Sequence, residues 1–245
     1  MKSNSTCKLG AIVVVLSLLC PTIALGGGLS VVVYDNFDDG NFDGWLSTPY
    51  WGWAGTLPNV VSSPEGYALQ GVGSGYSQDP GLEVYISHPV TLSNVGALRI
   101  EMRARSGSQW PNASEILLTR GNDAYLFADY GEGNQMAQFV ANINGTWGPD
   151  CRYPINATPW HDFAWARDAI GWWSLSIDGQ ELWHNFVQEN RLTSFDGIGL
   201  HPLRNQSEIE WVRVTAEVVP VPGAVLLGAI GLGFANYMLK RRSVS

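Results

Sequence analysis

The chain has 245 residues, with 22 acidic against 14 basic side chains and a formal net charge of −8. Every acidic residue lies between Asp35 and Glu217, in a stretch with 9 arginines and no lysine, so that this part carries a net charge of −13. Such a surface repels a phosphate backbone and excludes nucleic acid as a partner. All 11 tryptophans fall in the same stretch, which excludes a disordered stalk, because chains poor in aromatics are the ones that fail to build a core.

At the N-terminus, Lys2 and Lys8 precede an apolar run from Leu9 to Leu19, and Ala24-Leu25-Gly26 supplies a small-x-small cleavage pattern. Residues 1–26 read as a signal-peptide helix, handled by the general secretion machinery and signal peptidase. Ser17-Leu18-Leu19-Cys20 falls short of a lipoprotein box, since Leu19 is too large to precede a lipidated cysteine. Cleavage removes Cys7 and Cys20, leaving Cys151. A mature domain with one cysteine has no internal disulfide and must be held by its core.

Residues 27–217 are long enough for one sizeable core and show no linker or fixed-period repeat. Leu29 to Tyr34 reads as a first strand. The loop after it carries Asp35, Asp38, Asp39 and Asp43. Calcium takes roughly six to eight oxygens, and a carboxylate-rich loop could supply several, so calcium is the cofactor the sequence suggests. The D-x-D-x-D-G spacing is missing, and the alternative is turn chemistry, with Asp and Asn side chains bonding nearby amides around Gly40 and Gly44.

Tyr50-Trp51-Gly52-Trp53 sits between turn signals rather than in an alternating strand. A pyranose ring presents an apolar face that flat aromatics can cover, so Tyr50, Trp51 and Trp53 are candidate carbohydrate contacts. Trp110-Pro111 and Trp147-Gly148-Pro149 are also in loop-like surroundings, whereas Trp165, Trp173 and Trp211 read as core.

The clearest local signal is Leu98 to Arg105, in which apolar and charged residues alternate strictly. One face is buried and the other wet, as in an antiparallel sheet. Ile116 to Thr119, Ala124 to Asp129, Gln138 to Ile143, Phe163 to Ala166 and Glu208 to Ala216 read as further strands. Trp172 to Ile177 runs into Asp178-Gly179 and out through Gln180 to His184, and Asp-Gly between two strand-like runs predicts a type I′ hairpin.

Trp160-His161-Asp162-Phe163, the strand ending in Ile177-Asp178-Gly179, and Glu208-Ile209-Glu210-Trp211-Val212-Arg213-Val214 follow one another in the order found in laminin-G and concanavalin A-like domains. Tyr34-Asp35-Asn36-Phe37-Asp38-Asp39-Gly40 through Gly44-Trp45 resembles the usual opening. Across most of residues 31–216 the chain resembles that family, which implies an all-β antiparallel sandwich of jelly-roll form and a carbohydrate- or surface-binding role.

Catalysis on such a sandwich needs two carboxylates flanking a glycosidic bond, and the E-x-D-x-x-E signature of jelly-roll glucanases is absent. Glu208 and Glu210 have same-face spacing, but read more simply as solvent-facing neighbours of buried Ile209. His88, His161, His184 and His201 show no metal-ligand spacing. N-x-S/T triplets begin at Asn4, Asn112, Asn144, Asn156 and Asn205 and mark surface loops.

Residues 218–245 combine Val219-Pro220-Val221-Pro222-Gly223-Ala224, an apolar run from Ala224 to Leu239, and the basic stop Lys240, Arg241 and Arg242. The run makes a helix of about 24 Å, enough with its flank to span a membrane, and the basic triplet stays cytoplasmic. This tail resembles the PEP-CTERM sorting signal in its V-P-x-P-x-A form. The resemblance implies an exosortase-type partner, transient anchoring by a transmembrane helix in the inner membrane of a Gram-negative-type bacterium, and delivery to the cell surface or extracellular matrix. An uncut C-terminal anchor is the alternative. The chain thus reads as a non-catalytic surface protein that binds polysaccharide, with a secreted glycan-active hydrolase or lyase, or a purely structural coat protein, as alternatives.

Overall fold

The computed structural model describes residues 29–49, 57–72, 84–107, 112–130, 135–204 and 206–218. The signal-peptide segment, Tyr50, Trp51, Trp53, Trp110 and the tail from Val219 onward lie outside the described residues. Among those described, no helix is long and apolar enough to cross a membrane.

The described chain forms strands β1 (Ser30–Asp35), β2 (Leu46–Pro49), β3 (Asn59–Ser63), β4 (Gly66–Gln70), β5 (Val84–Leu92), β6 (Val95–Arg105), β7 (Ala113–Arg120) and β8 (Asp123–Tyr130). These continue into β9 (Met136–Ile143), β10 (Thr146–Pro154), β11 (His161–Arg167), β12 (Trp172–Ile177), β13 (Gln180–Gln188), β14 (Phe195–Leu203) and β15 (Glu208–Val218). They build two antiparallel sheets packed as a sandwich. One has the order β13-β12-β11-β6-β15-β4-β3, with β1 sharing the free edge of β15; the other runs β10-β9-β8-β7-β14-β5-β2.

The alternation in β6 does what the sequence predicts. Leu98, Ile100, Met102 and Ala104 are buried, while Arg99, Glu101, Arg103 and Arg105 lie on the outer face. Opposite them, Ile116, Leu118, Tyr125, Phe127 and Phe139 complete the core with Trp165 and Trp173. Phe127 lies 5.5 Å from Trp165 and 5.1 Å from Trp173, ring centre to ring centre. Burying one such side chain contributes about 2–3 kcal/mol, so these rings anchor the interior in place of disulfides. Trp211 departs from expectation. A bulge between Ile209 and Trp211 sets Ile209 opposite Ala104 but Trp211 opposite Arg103, and the indole lies half-buried on the outer face.

Strands β7 to β9 are buried on both sides, with Leu117, Leu126, Ala128 and Val140 forming a separate apolar cluster on the outer face. The segment around Trp147, read as a loop, is the first part of β10, whose register shifts between Trp147 and Asp150. The Asp178-Gly179 turn takes the expected form, with φ of 53° and 77°.

Candidate functional site

The acidic loop after β1 uses its oxygens locally. Asp35 Oδ1 accepts the Phe37 amide at 2.8 Å, and its Oδ2 accepts the Trp45 indole N–H at 2.6 Å. Asp39 accepts the Asn41 amide at 3.2 Å, and Asn36 donates its side-chain amide to Asp38. Among the described residues, no three His, Cys, Asp or Glu side chains are grouped so as to hold a metal ion.

The outer face of the eight-stranded sheet corrects the reading of Glu208 and Glu210. Both are buried, with 8% and 5% of their side chains exposed. Glu210 accepts Arg103 Nε at 2.6 Å and the Glu65 amide at 3.1 Å, and takes a hydrogen bond from the Ser63 hydroxyl. Arg103 also reaches Asp162 and Glu65, each at 3.0 Å. Glu208 pairs with Arg105 at 2.8 Å and with the Gln70 amide. The two carboxylates thereby latch β3 and β4 onto β6 and β15. Each is engaged by one arginine and by neutral donors from β3, β4 or the turn between them.

On the seven-stranded sheet, register brings a polar line across the outer face. His201 lies opposite Glu115, Glu115 opposite Ala128, Ala128 opposite Gln138, and Gln138 opposite Arg152. Glu115 accepts the Tyr130 hydroxyl at 2.8 Å and lies 2.8 Å from His201 Nδ1, both carboxylate and imidazole being 3% exposed. The Glu115 charge, then burial, hold the Tyr130 hydroxyl far above its ordinary pKa. Gln138 donates to Asp150 at 2.6 Å, and Arg152 grips the same carboxylate. Burial would raise the Asp150 pKa, but the bonds from Arg152 and Gln138 outweigh it and hold it low. Sequence reasoning missed this cluster because its members are far apart in the chain and meet through register.

Farther along the same face, Trp147 lies directly opposite Asn142. The Trp147 side chain is 53% exposed. Asn142 is 8% exposed, and its carbonyl oxygen is buried without a hydrogen-bond partner. A buried acceptor left unpaired costs about 1–3 kcal/mol, and here it stands beside a flat aromatic surface.

A different cavity, of about 390 Å³, opens where edge strands β10 and β13 approach each other, walled by Tyr153, Ile155, Asn156, His161, Asp178 and Leu182. Tyr153 packs against Trp183 at 5.9 Å. His161 sits between two acceptors, with Nδ1 2.7 Å from Asp178 Oδ2 and Nε2 2.9 Å from the Asn156 carbonyl. Asp178 Oδ1 accepts the Asp162 amide at 3.0 Å. Burial pushes the Asp178 pKa up, but the Asp162 amide and His161 outweigh it and hold it below the usual carboxylate range.

Cys151 is half-buried, and burial together with the Asp150 charge raises its thiol pKa, which disfavours the thiolate. Pro49, the described residue before Tyr50, pairs with Val84 on the edge of the seven-stranded sheet, and Tyr50, Trp51 and Trp53 themselves lie outside the described residues.

No family model matches this chain, and no curated protein matches it. Solved structures do. Domain 4 of AbnA, an extracellular arabinanase from Geobacillus stearothermophilus, in complex with arabinotriose, aligns with a TM-score of 0.56 at 15% identity, covering 78% of this chain and 95% of that one. The globular domain of T. cruzi calreticulin aligns at 0.54 and 10% identity, covering 88% and 100%. A prokaryotic β-1,3-1,4-glucanase (lichenase) derived from a mouse hindgut metagenome aligns at 0.51 and 14% identity, covering 76% and 99%. Identities this low speak to the fold, and that fold is the concanavalin A-like jelly roll.

Proposed function

We propose that this is an exported, non-catalytic surface protein whose jelly roll binds polysaccharide on the outer face of the seven-stranded sheet. The observation that carries the reading is the exposed Trp147 indole on that face. A sugar ring laid on the indole would cover its exposed aromatic face. The similar arabinanase domain solved with arabinotriose indicates that a fold of this kind can carry a sugar. Tyr50, Trp51 and Trp53 are candidate sugar contacts in the same proposal.

Export and sorting are supported by the sequence: a signal peptide at residues 1–26, and at the other end the Val219 to Ala224 motif, apolar run and Lys240 to Arg242 stop of a PEP-CTERM-like tail. An exosortase-type enzyme would process it. Mass spectrometry of the mature protein should find the basic stop removed; finding Lys240 to Arg242 still attached makes the tail a permanent anchor.

One observation favours a glycan-cleaving alternative, namely the Glu115, His201 and Tyr130 cluster on the same face. Both Glu115 oxygens are engaged and the group is almost wholly buried, which is unlike an acid that must meet a glycosidic oxygen. A glycan array followed by a reducing-sugar assay separates the readings: binding without release is expected, and release makes the protein an enzyme. Trp147→Ala should weaken binding at least about tenfold, about 1.4 kcal/mol. Unchanged binding by a folded variant removes the proposed site.

A further inference from the structure

We infer that the cavity between β10 and β13 is a second sugar site, specific for neutral glycans and independent of the Trp147 face. The inference rests on the carbohydrate-binding reading but on different residues. At about 390 Å³ the cavity lies toward the small end of ligand pockets, the size for a chain end or a side branch rather than a long internal stretch. Its walls divide by chemistry. Tyr153, Ile155 and Leu182 give an apolar side suited to the C–H face of a pyranose, while Asp178, His161 and Asn156 gather polar atoms at the other.

The polar side is built in advance. The Asp162 amide holds one oxygen of Asp178 at 3.0 Å and His161 holds the other at 2.7 Å, so the carboxylate cannot swing away. His161 is itself fixed from behind by the Asn156 carbonyl at 2.9 Å. Yet the Asp178 side chain is 54% exposed, leaving its remaining lone pairs for ligand hydroxyls. A fixed acceptor of this kind binds a diol without a cost for ordering the side chain.

Charge sets the class of ligand. An exposed carboxylate stands at the rim, the stretch between Asp35 and Glu217 has no lysine, and the nearby Arg103 is already bound by Glu65, Asp162 and Glu210. A uronic acid or sulfated sugar would meet uncompensated repulsion. Tyr153 also lies six residues along β10 from Trp147, about 20 Å in an extended strand. At that separation substitutions at the two sites act independently, and two sites on one domain can cross-link glycan chains.

The test follows the backbone amides of Asn156, Asp162, Asp178 and Gln180 by NMR in the whole protein during titration with cellotetraose, laminaritetraose, xylotetraose and tetragalacturonate. At least one neutral tetrasaccharide should shift these amides, and tetragalacturonate should not. Asp178→Asn keeps the positive φ, which Asn tolerates, and should weaken the response at least about tenfold. Leu182→Ala, which removes apolar wall and leaves the hairpin intact, should weaken it as well. Trp147→Ala should leave the cleft response unchanged. If no neutral tetrasaccharide shifts these amides, or if Asp178→Asn binds as the native protein does, the cleft is not a sugar site. A response to tetragalacturonate equal to the neutral ones overturns the charge argument. Loss of array binding in Trp147→Ala with a silent cleft leaves the Trp147 site standing without the second one; a responsive cleft with Trp147→Ala binding normally does the reverse.

Discussion

Asp129 is fully buried on the inner side of β8, and neither of its carboxyl oxygens has a hydrogen-bond partner. Ser106 Oγ donates instead to the Asp129 main-chain carbonyl at 2.7 Å. Burial raises the Asp129 pKa well above its ordinary value, so the folded state holds it protonated while the unfolded chain ionises it. For a group raised on folding, the contribution is fully present below the ordinary carboxylate pKa and is lost as pH rises. Asp129→Asn, neutral at every pH, is therefore expected to melt higher than the native protein at neutral pH, with the difference shrinking toward about pH 4. Equal melting temperatures across that range would mean the carboxyl finds solvent. This burial is not legible in the sequence, because Ala124 to Asp129 reads as a strand ending in a charged residue, and an acidic residue at a strand end is ordinarily wet. The metal-loop residues were the opposite case. Asp35 and Asp39 make bonds to amides two residues away, and such local chemistry is legible from spacing.

Elements were readable where their signal was local and hidden where it came from tertiary packing. Strand β6 declared itself because one face is wet, and the β12–β13 hairpin because Asp178 and Gly179 must both take positive φ. Strand β14, Phe195–Leu203, carries Gly197, Gly199 and Pro202 and does not look like a strand. A Cβ at Gly197 would approach Thr119 Oγ1 to 2.6 Å and force the threonine side chain to shift, a contact no sequence pattern reveals. The Glu115–His201 pair was hidden for the same reason, its members being 86 residues apart and brought together by the β7–β14 register. A further long-range device ties β11 to its surroundings. Arg167, 3% exposed, donates to the carbonyls of Leu192 at 2.8 Å and of Val95 and Gly96 at 3.2 Å, joining the start of β6 to the segment before β14. Burial lowers its pKa, but the planar fork still satisfies three carbonyls at once. Arg167→Met fills similar space and strands those carbonyls, so it should cost about 3 kcal/mol in urea unfolding. A loss under about 1 kcal/mol would show that the carbonyls find other donors.

At the scale of the molecule, the opposing titrations define where the sandwich is most stable. Glu189 is pushed up by burial, but Arg191, the Arg191 amide and Tyr125 outweigh this and hold its pKa below the usual value. Asp150 and Asp178 are likewise held low by their partners against burial. Asp178 and Glu189 stand at opposite ends of the β12–β13 hairpin, and Asp150 lies on β10. Carboxyls lowered on folding contribute stability that is present above the ordinary carboxylate pKa and is lost as pH falls through their folded values. Asp129 works in the other direction, and so does the net −13 of the stretch between Asp35 and Glu217, whose self-repulsion grows as carboxyls ionise. The melting temperature of the native protein should therefore pass through a maximum on the acid side of neutrality, near about pH 5, and fall steeply below about pH 4. Salt distinguishes the causes: it should flatten the decline toward neutral pH where that comes from surface repulsion, and leave the share owed to buried Asp129 in place. In Asp129→Asn at high salt both sources are gone, and the profile should run level from the maximum to neutrality. A decline that persists in that variant would place the destabilising charge elsewhere in the core.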